Sequence, residues 1–228
     1  MKYSVITLLY SHLLVVFFVP LFISLSYGEE ANGDWEKVKE SEGVQIYLSE
    51  VPGSKFRAFR GIVILETSVE TILAVFRDIP SHTKLLFRCT HSSLLQEMNP
   101  SEYITYTVLD APWPVADRDS VNYISVFHDL ENLEVTITMR EHLGSLSEQH
   151  LGVRVTKFEG FWRLKKVDVG NVEVTLQLHV DPGGWLPSWI INRAVEVFPY
   201  KTLCNLRKMV KLPKYLNVQS SFYGDTVE

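Results

Sequence analysis

Cysteine is nearly missing from this chain: Cys89 and Cys204 are the only two, and they stand far apart. That spacing excludes a CxxC redox centre and a zinc site built on cysteines. Cationic excess is missing as well. With 22 Lys+Arg against 27 Asp+Glu, the formal net charge is −5. Phosphate-tracking surfaces need clustered positive charge, so the balance argues against a nucleic-acid partner. There is no GxSxG elbow, no GxxxxGK[ST] loop, no GxGxxG after a strand and no HExxH pair. The signatures of many hydrolases, nucleotide-binding proteins and zinc proteases are thereby absent. The histidines beyond residue 28 (His82, His91, His128, His142, His150 and His179) do not fall at a ligand spacing on one face, so neither a metal nor another cofactor is expected. No repeat, low-complexity run or Pro/Ser linker interrupts residues 33–212, which therefore read as one domain. What remains is a globular balance, 46% apolar and 21% charged over 228 residues. Intrinsic disorder and a disulfide-dense miniprotein are both ruled out by it.

Residues 1–28 read as a signal peptide. Lys2 supplies a positive start, and no Asp, Glu, Lys or Arg occurs from Val5 to Leu25. Ser26 and Gly28 place small residues at the −3 and −1 positions of a cut before Glu29. The alternative is an uncleaved membrane anchor, since about 20 apolar residues span a bilayer. Pro20 within the run and the small-residue exit favour cleavage, and with it export to the periplasm or the outside. In such a compartment Cys89 and Cys204 either pair or remain two separate buried thiols.

Beyond that segment the hydrophobic periods predict mostly strands. After a short helical lead, strands are expected at 43–48 and 56–65. An amphipathic helix follows, opened by Ser68 and Thr71 with Ile72, Val75 and Phe76 on one face. Further strands are expected at 88–97, 102–110, 118–128, 133–141, 153–167 and 171–181. The last is the clearest: Val172, Val174, Leu176, Leu178 and Val180 alternate with polar residues, as in an antiparallel strand with one dry face. Ile191, Val195, Phe198, Thr202, Leu206 and Met209 recur at three- and four-residue steps, one stripe of a long C-terminal helix. Pro199 is expected to kink it near Val195. The fold class is therefore α+β: a curved antiparallel sheet wrapped around a C-terminal helix, with an enclosed hydrophobic cavity between them.

Asp110, Asp117 and Asp119 crowd Arg118 in one turn. Such a cluster can do acid–base work, but a structural turn is the simpler reading, with Arg118 held by a carboxylate such as Asp119 or Asp110. The same segment, Pro112-Trp113-Pro114-Val115-Ala116-Asp117-Arg118-Asp119-Ser120-Val121, resembles one found in START (StAR-related lipid-transfer) domains. Asp181-Pro182-Gly183-Gly184-Trp185-Leu186-Pro187-Ser188-Trp189 through Asn192 resembles that family's approach to its last helix. Thr202-Leu203-Cys204-Asn205-Leu206-Arg207 is similar to its closing motif, and Gly43-Val44 with Phe59-Arg60-Gly61 to its first strand pair. Together these cover roughly residues 34–211, so the START-like domain is set at 29–212 and a polar tail at 213–228.

The resemblance implies a helix-grip fold and a non-enzymatic, monomeric lipid carrier that touches a membrane transiently. Strand parity nominates Val135, Ile137, Met139, Trp162, Leu164, Leu176 and Leu178 as cavity walls, with Ile191, Val195 and Phe198 from the helix. Ile124 and the polar Tyr103, Thr105, Thr107 and Asn122 share the inward register. In steroid-carrying members an acid and an arginine occupy positions that hold Thr105 and Ile124 here, so a charged pair is lacking and a neutral or modest head group is favoured. The gate is expected in the turn Asp129-Leu130-Glu131-Asn132 together with the C-terminal helix, hinged at Gly183 and Gly184. Trp185 and Trp189 beside that hinge suit a membrane interface. The alternative function is an enzyme of the same superfold, a polyketide cyclase/aromatase-like or hydrolase-like protein, which would need titratable side chains inside the cavity.

Overall fold

The computed structural model describes residues 34–142, 144, 151–186 and 188–216. The chain divides into two units after Asn32. The first, with the expected signal segment, lies outside the described residues, as do His150 and 217–228.

Alternation of apolar and polar residues produces ten strands: β1 (Glu36–Ser41), β2 (Val44–Ser49), β3 (Ala58–Glu66), β4 (Cys89–Asn99), β5 (Glu102–Leu109), β6 (Arg118–Asp129), β7 (Glu134–Glu141), β8 (Val153–Arg154), β9 (Lys157–Asp168) and β10 (Asn171–Asp181). They form one curved sheet in the order β1-β2-β3-β10-β9-β7-β6-β5-β4, antiparallel at every step, with β8 lying parallel beside β6. Between β3 and β4 lie α1 (Val69–Arg77), a 3-10 turn at Ile79–Ser81, and α2 (His82–Leu85). α3 (Ser188–Met209) and α4 (Pro213–Leu216) follow the sheet.

The expected helix-grip architecture is present. Val172, Val174, Leu176 and Leu178 of β10 are all buried, and so are Leu203, Leu206 and Met209 of α3. α1 starts where the sequence places it, with Ser68 Oγ accepting from Thr71 N at 3.2 Å. Three features differ from expectation. The segment before Gly43 is a strand rather than a helical lead, because the left-handed pair Glu42 and Gly43 (φ 52° and 72°) turns it back onto β2. That turn is held from afar by Arg207 of α3, which donates to Glu42 O at 2.7 Å. The strand expected at 153–167 is two, β8 and β9. Finally, the polar tail begins later than 213: α4 docks by Tyr215, which is buried and donates to Asp78 at 2.8 Å.

One close approach fixes α3 on the sheet. A Cβ on Gly61 of β3 would stand 2.7 Å from Leu203 Cδ1 and 3.4 Å from Pro199 Cβ. A methyl there would force the buried Leu203 side chain to shift, so the glycine leaves this approach unobstructed. Cys89 and Cys204 are unpaired; burial pushes the Cys89 thiol up to about 11.

Candidate functional site

A pocket of about 100 Å³ lies between the concave face of the sheet and the helices. Its walls follow from strand parity. β5 contributes Tyr103, Thr105, Thr107 and Leu109, and β6 contributes Ser120, Asn122 and Ile124. Ile137 and Met139 of β7, Phe158 and Trp162 of β9, and Leu176 and Leu178 of β10 complete the sheet side. Phe76 of α1, His82 and Leu85 of α2, the neighbouring Leu86, and Phe198 of α3 form the roof. Phe76 and Trp162 meet with ring centroids 4.8 Å apart.

Most of the nominated wall residues are gathered here, but four are not. Val135 and Leu164 pair with each other across β7 and β9 and are buried in the core beyond the pocket. Ile191 and Val195, in the first half of α3, are half-buried and outside the lining. Conversely, His82, Leu85 and Leu86 were invisible in the sequence, because nothing in it signalled the short α2. Ser120 carried a signal: it shares the parity of Asn122 and Ile124.

No Asp, Glu, Lys or Arg is found among the described lining residues. His82 is the one imidazole there, and it is already engaged. Its Nε2 sits 2.9 Å from Phe76 O, so Nε2 carries the proton and donates. Burial pulls its pKa below the ordinary histidine value and keeps it neutral near pH 7. The most polar part of the wall is a block of two cross-strand pairs, Thr105↔Asn122 and Thr107↔Ser120. Asn122 is 7% exposed and donates from Nδ2 to Ser120 Oγ at 3.0 Å. Its Oδ1 is buried without a hydrogen-bond partner. Among the described residues no group of three or more His, Cys, Asp or Glu is placed to hold a metal ion.

The acidic turn resolves into three separate roles. Asp110 pairs with Arg88 at the surface. Asp117 Oδ1 accepts from Ala111 N at 3.0 Å and shapes its own loop. Asp119, 1% exposed, accepts from Arg154 Nε at 2.6 Å, Tyr106 OH at 2.8 Å and Leu151 N at 3.1 Å. Arg118 is therefore not held by a carboxylate as expected. Its guanidinium donates to three carbonyls: Ala116 O, Pro182 O at 3.3 Å and Gly183 O at 3.2 Å. It joins the 110–117 loop to the lead into α3, where Gly183 and Gly184 both have left-handed φ, 65° and 63°.

That placement separates the two parts of the expected gate. The turn Asp129-Leu130-Glu131-Asn132 closes β6 onto β7 at the end of the sheet opposite Arg118 and the glycine hinge. It borders a second hollow of about 290 Å³ with Ser68, Glu70, Lys166, Asp168 and Gly170. This hollow is larger than the inner pocket, but carboxylates line it (Glu70, Asp129, Glu134 and Asp168), and it sits among turns. The loop that faces the hinge is 110–117. It carries Trp113, 92% exposed, and Trp185 beyond the hinge is 78% exposed. The Trp189 side chain lies outside the described part.

A helix gripped by a curved sheet over an uncharged pocket defines the class, and the family profile agrees with it. The START domain profile matches residues 23–214, and the chain belongs to that family. An uncharacterized protein of Pseudomonas aeruginosa is 35% identical over 178 residues, covering 76% of this chain and 85% of its own. Human phosphatidylcholine transfer protein is 24% identical over 170 residues, covering 73% and 78%. Among solved structures, a STAR-related lipid transfer protein from Xanthomonas axonopodis superimposes with TM-score 0.72 at 31% identity, covering 78% of this chain and 99% of that one.

Proposed function

We propose that this protein is a non-enzymatic carrier that takes one lipid between its sheet and α3 and passes it between membranes. The observation that carries this reading is the pocket under α3, apolar along most of its wall and without a charged side chain among its described lining residues. The relatives named for lipid transfer support it. Each methylene moved from water into such a site contributes about 0.8 kcal/mol, so an acyl chain of ordinary length gives a driving force comparable to leaving the bilayer.

At about 100 Å³ the pocket is smaller than the ~300–1,000 Å³ that ligand sites commonly enclose. Loading therefore requires a wall to move. The first half of α3, where Ile191 and Val195 are half-buried, follows two left-handed glycines and is the segment that moves in this reading. Trp113 and Trp185, an exposed indole on each side of the Arg118 junction, suit transient contact with a membrane interface. No described helix is long and apolar enough to cross a membrane. The apolar segment at 1–28 would then direct export, and the carrier would act as a monomer after its removal. A catalytic reading would need a free acid or base in the pocket. In the described lining His82 and Tyr103 are the titratable side chains; the Nε2–H of His82 is held by Phe76 O, which leaves its Nδ1 as the remaining basic atom.

The test is native mass spectrometry of the protein purified from its own host, followed by transfer of labelled lipid between vesicles. A hydrophobic adduct at one per chain, with transfer above the spontaneous rate, is expected. Absence of both would refute the carrier reading.

A further inference from the structure

From the unpartnered Asn122 Oδ1 in an uncharged wall, we infer that the ligand is a neutral lipid with a hydroxyl head, anchored by a hydrogen bond to Asn122. The inference rests on the reading of the pocket as a lipid site and names the head group that site takes. Buried amide oxygens are rarely left unpaired, since each loses its water without a replacement. This one belongs to Asn122, a residue 7% exposed that lines the pocket, where Thr105, Thr107 and Ser120 add hydroxyl groups to the same stretch of wall. A hydroxyl suits the amide in either orientation, because it both donates and accepts. A phosphate would be buried without a cation among the described lining residues, and an unpaired charge is far costlier to bury than a hydroxyl. Arg77 is outside the lining, 4.6 Å from the Tyr103 ring; its Nη2 is bonded to Glu97 at 2.6 Å, while its Nη1 is buried without a partner, so the phosphate arm of the experiment tests it directly.

The head group can be isolated by holding the acyl chains constant. Protein purified from its host is stripped of lipid and incubated with vesicles carrying trace 1,2-dioleoylglycerol, its 3-O-methyl ether, or dioleoylphosphatidylcholine. Retained lipid is then extracted and quantified. The diacylglycerol is expected to load at least about tenfold better than the phosphatidylcholine and about fivefold better than the ether, the ratio for one hydrogen bond. Asn122→Leu should remove the preference over the ether while raising Tm, because it deletes an orphaned buried acceptor. Asn122→Ser, smaller and still polar, should keep part of the preference. Phosphatidylcholine retained as well as the diacylglycerol would overturn the head-group assignment and point to Arg77, whose Nη1 is buried without a partner. A preference over the ether that survives in Asn122→Leu would overturn the role of Asn122. Retention of none of the three lipids would overturn the carrier reading itself.

Discussion

Asp119 offers the sharpest test of what holds the approach to the pocket together. Its side chain is wholly buried, whereas that of its partner Arg154 is 23% exposed. Asp119→Ala removes acceptors from Arg154, Tyr106 and Leu151 together. Breaking a buried pair from one side costs about 3–5 kcal/mol. Arg154 can reach water in the variant, while the fully buried Tyr106 hydroxyl cannot, so the expected loss is near the lower end, ~3 kcal/mol. For a domain of this size that lowers Tm by roughly 6–12 °C. Urea unfolding should show a lower midpoint with an unchanged slope. Asp119→Asn keeps an acceptor but not the charge, and should lose about half as much. The pH dependence has a definite sign. Burial alone would push the Asp119 carboxyl up, but the hydrogen bonds from Arg154 and Tyr106 outweigh it and hold the pKa below the ordinary 3.8. A depressed folded-state pKa gives stability that is complete above the unfolded value. It is lost as pH falls from about 3.8 through the folded one. The curves for wild type and Asp119→Ala should therefore run parallel at neutral pH and converge in acid. A variant within about 1 kcal/mol of wild type at pH 7 would refute the network.

Other expectations concern α3 and its ties. Gly61→Ala places a methyl 2.7 Å from the buried Leu203 Cδ1, and overpacking of this kind should cost about 1–3 kcal/mol; an unchanged melting curve would show that α3 is not held by this contact. Arg118→Met removes the bonds to Ala116, Pro182 and Gly183. It should destabilise by about 1–3 kcal/mol and speed vesicle-to-vesicle transfer by freeing the hinge; slower or unchanged transfer would argue that the hinge is not the moving part. Burial would raise the Asp78 carboxyl, but Lys214, Tyr215 and Ser81 outweigh it and bring the pKa to about 2. The stability it gives is present above 3.8 and is lost as pH falls toward about 2. Asp78→Asn should abolish that acid-range slope and raise amide exchange in Pro213–Leu216. A slope that persists would place its origin elsewhere.

The sequence alone determined which residues face inward. Val172 to Val180 alternate with polar neighbours, and a strand's side chains alternate faces with a period of two, so the dry face of β10 was legible before any partner was known. The same parity placed Ile137, Met139, Trp162, Leu176 and Leu178 on the wall where the pocket lies, and the register implied by the family resemblance added Tyr103, Thr105, Thr107 and Asn122. The stripe from Phe198 to Met209 announced the covering helix for the equivalent reason, a period of 3.6. Tertiary structure alone decided where along the sheet each residue stands and what it touches. Val135 and Leu164 have the correct parity but lie too far along their strands to reach the pocket. The turn at Asp129 and the hinge at Gly183 finish at opposite ends, a matter of strand direction that local periodicity does not encode. β1 became a strand because β2 offered it a ladder, and His82 entered the roof because the helices between β3 and β4 dock under α3. Asp119 found Arg154 rather than its neighbour Arg118, because adjacent side chains on a strand point to opposite faces. Periodicity is a local property and survives in the sequence, whereas register, strand order and charge pairing arise between segments remote in the chain and are settled only when the sheet closes around its helix.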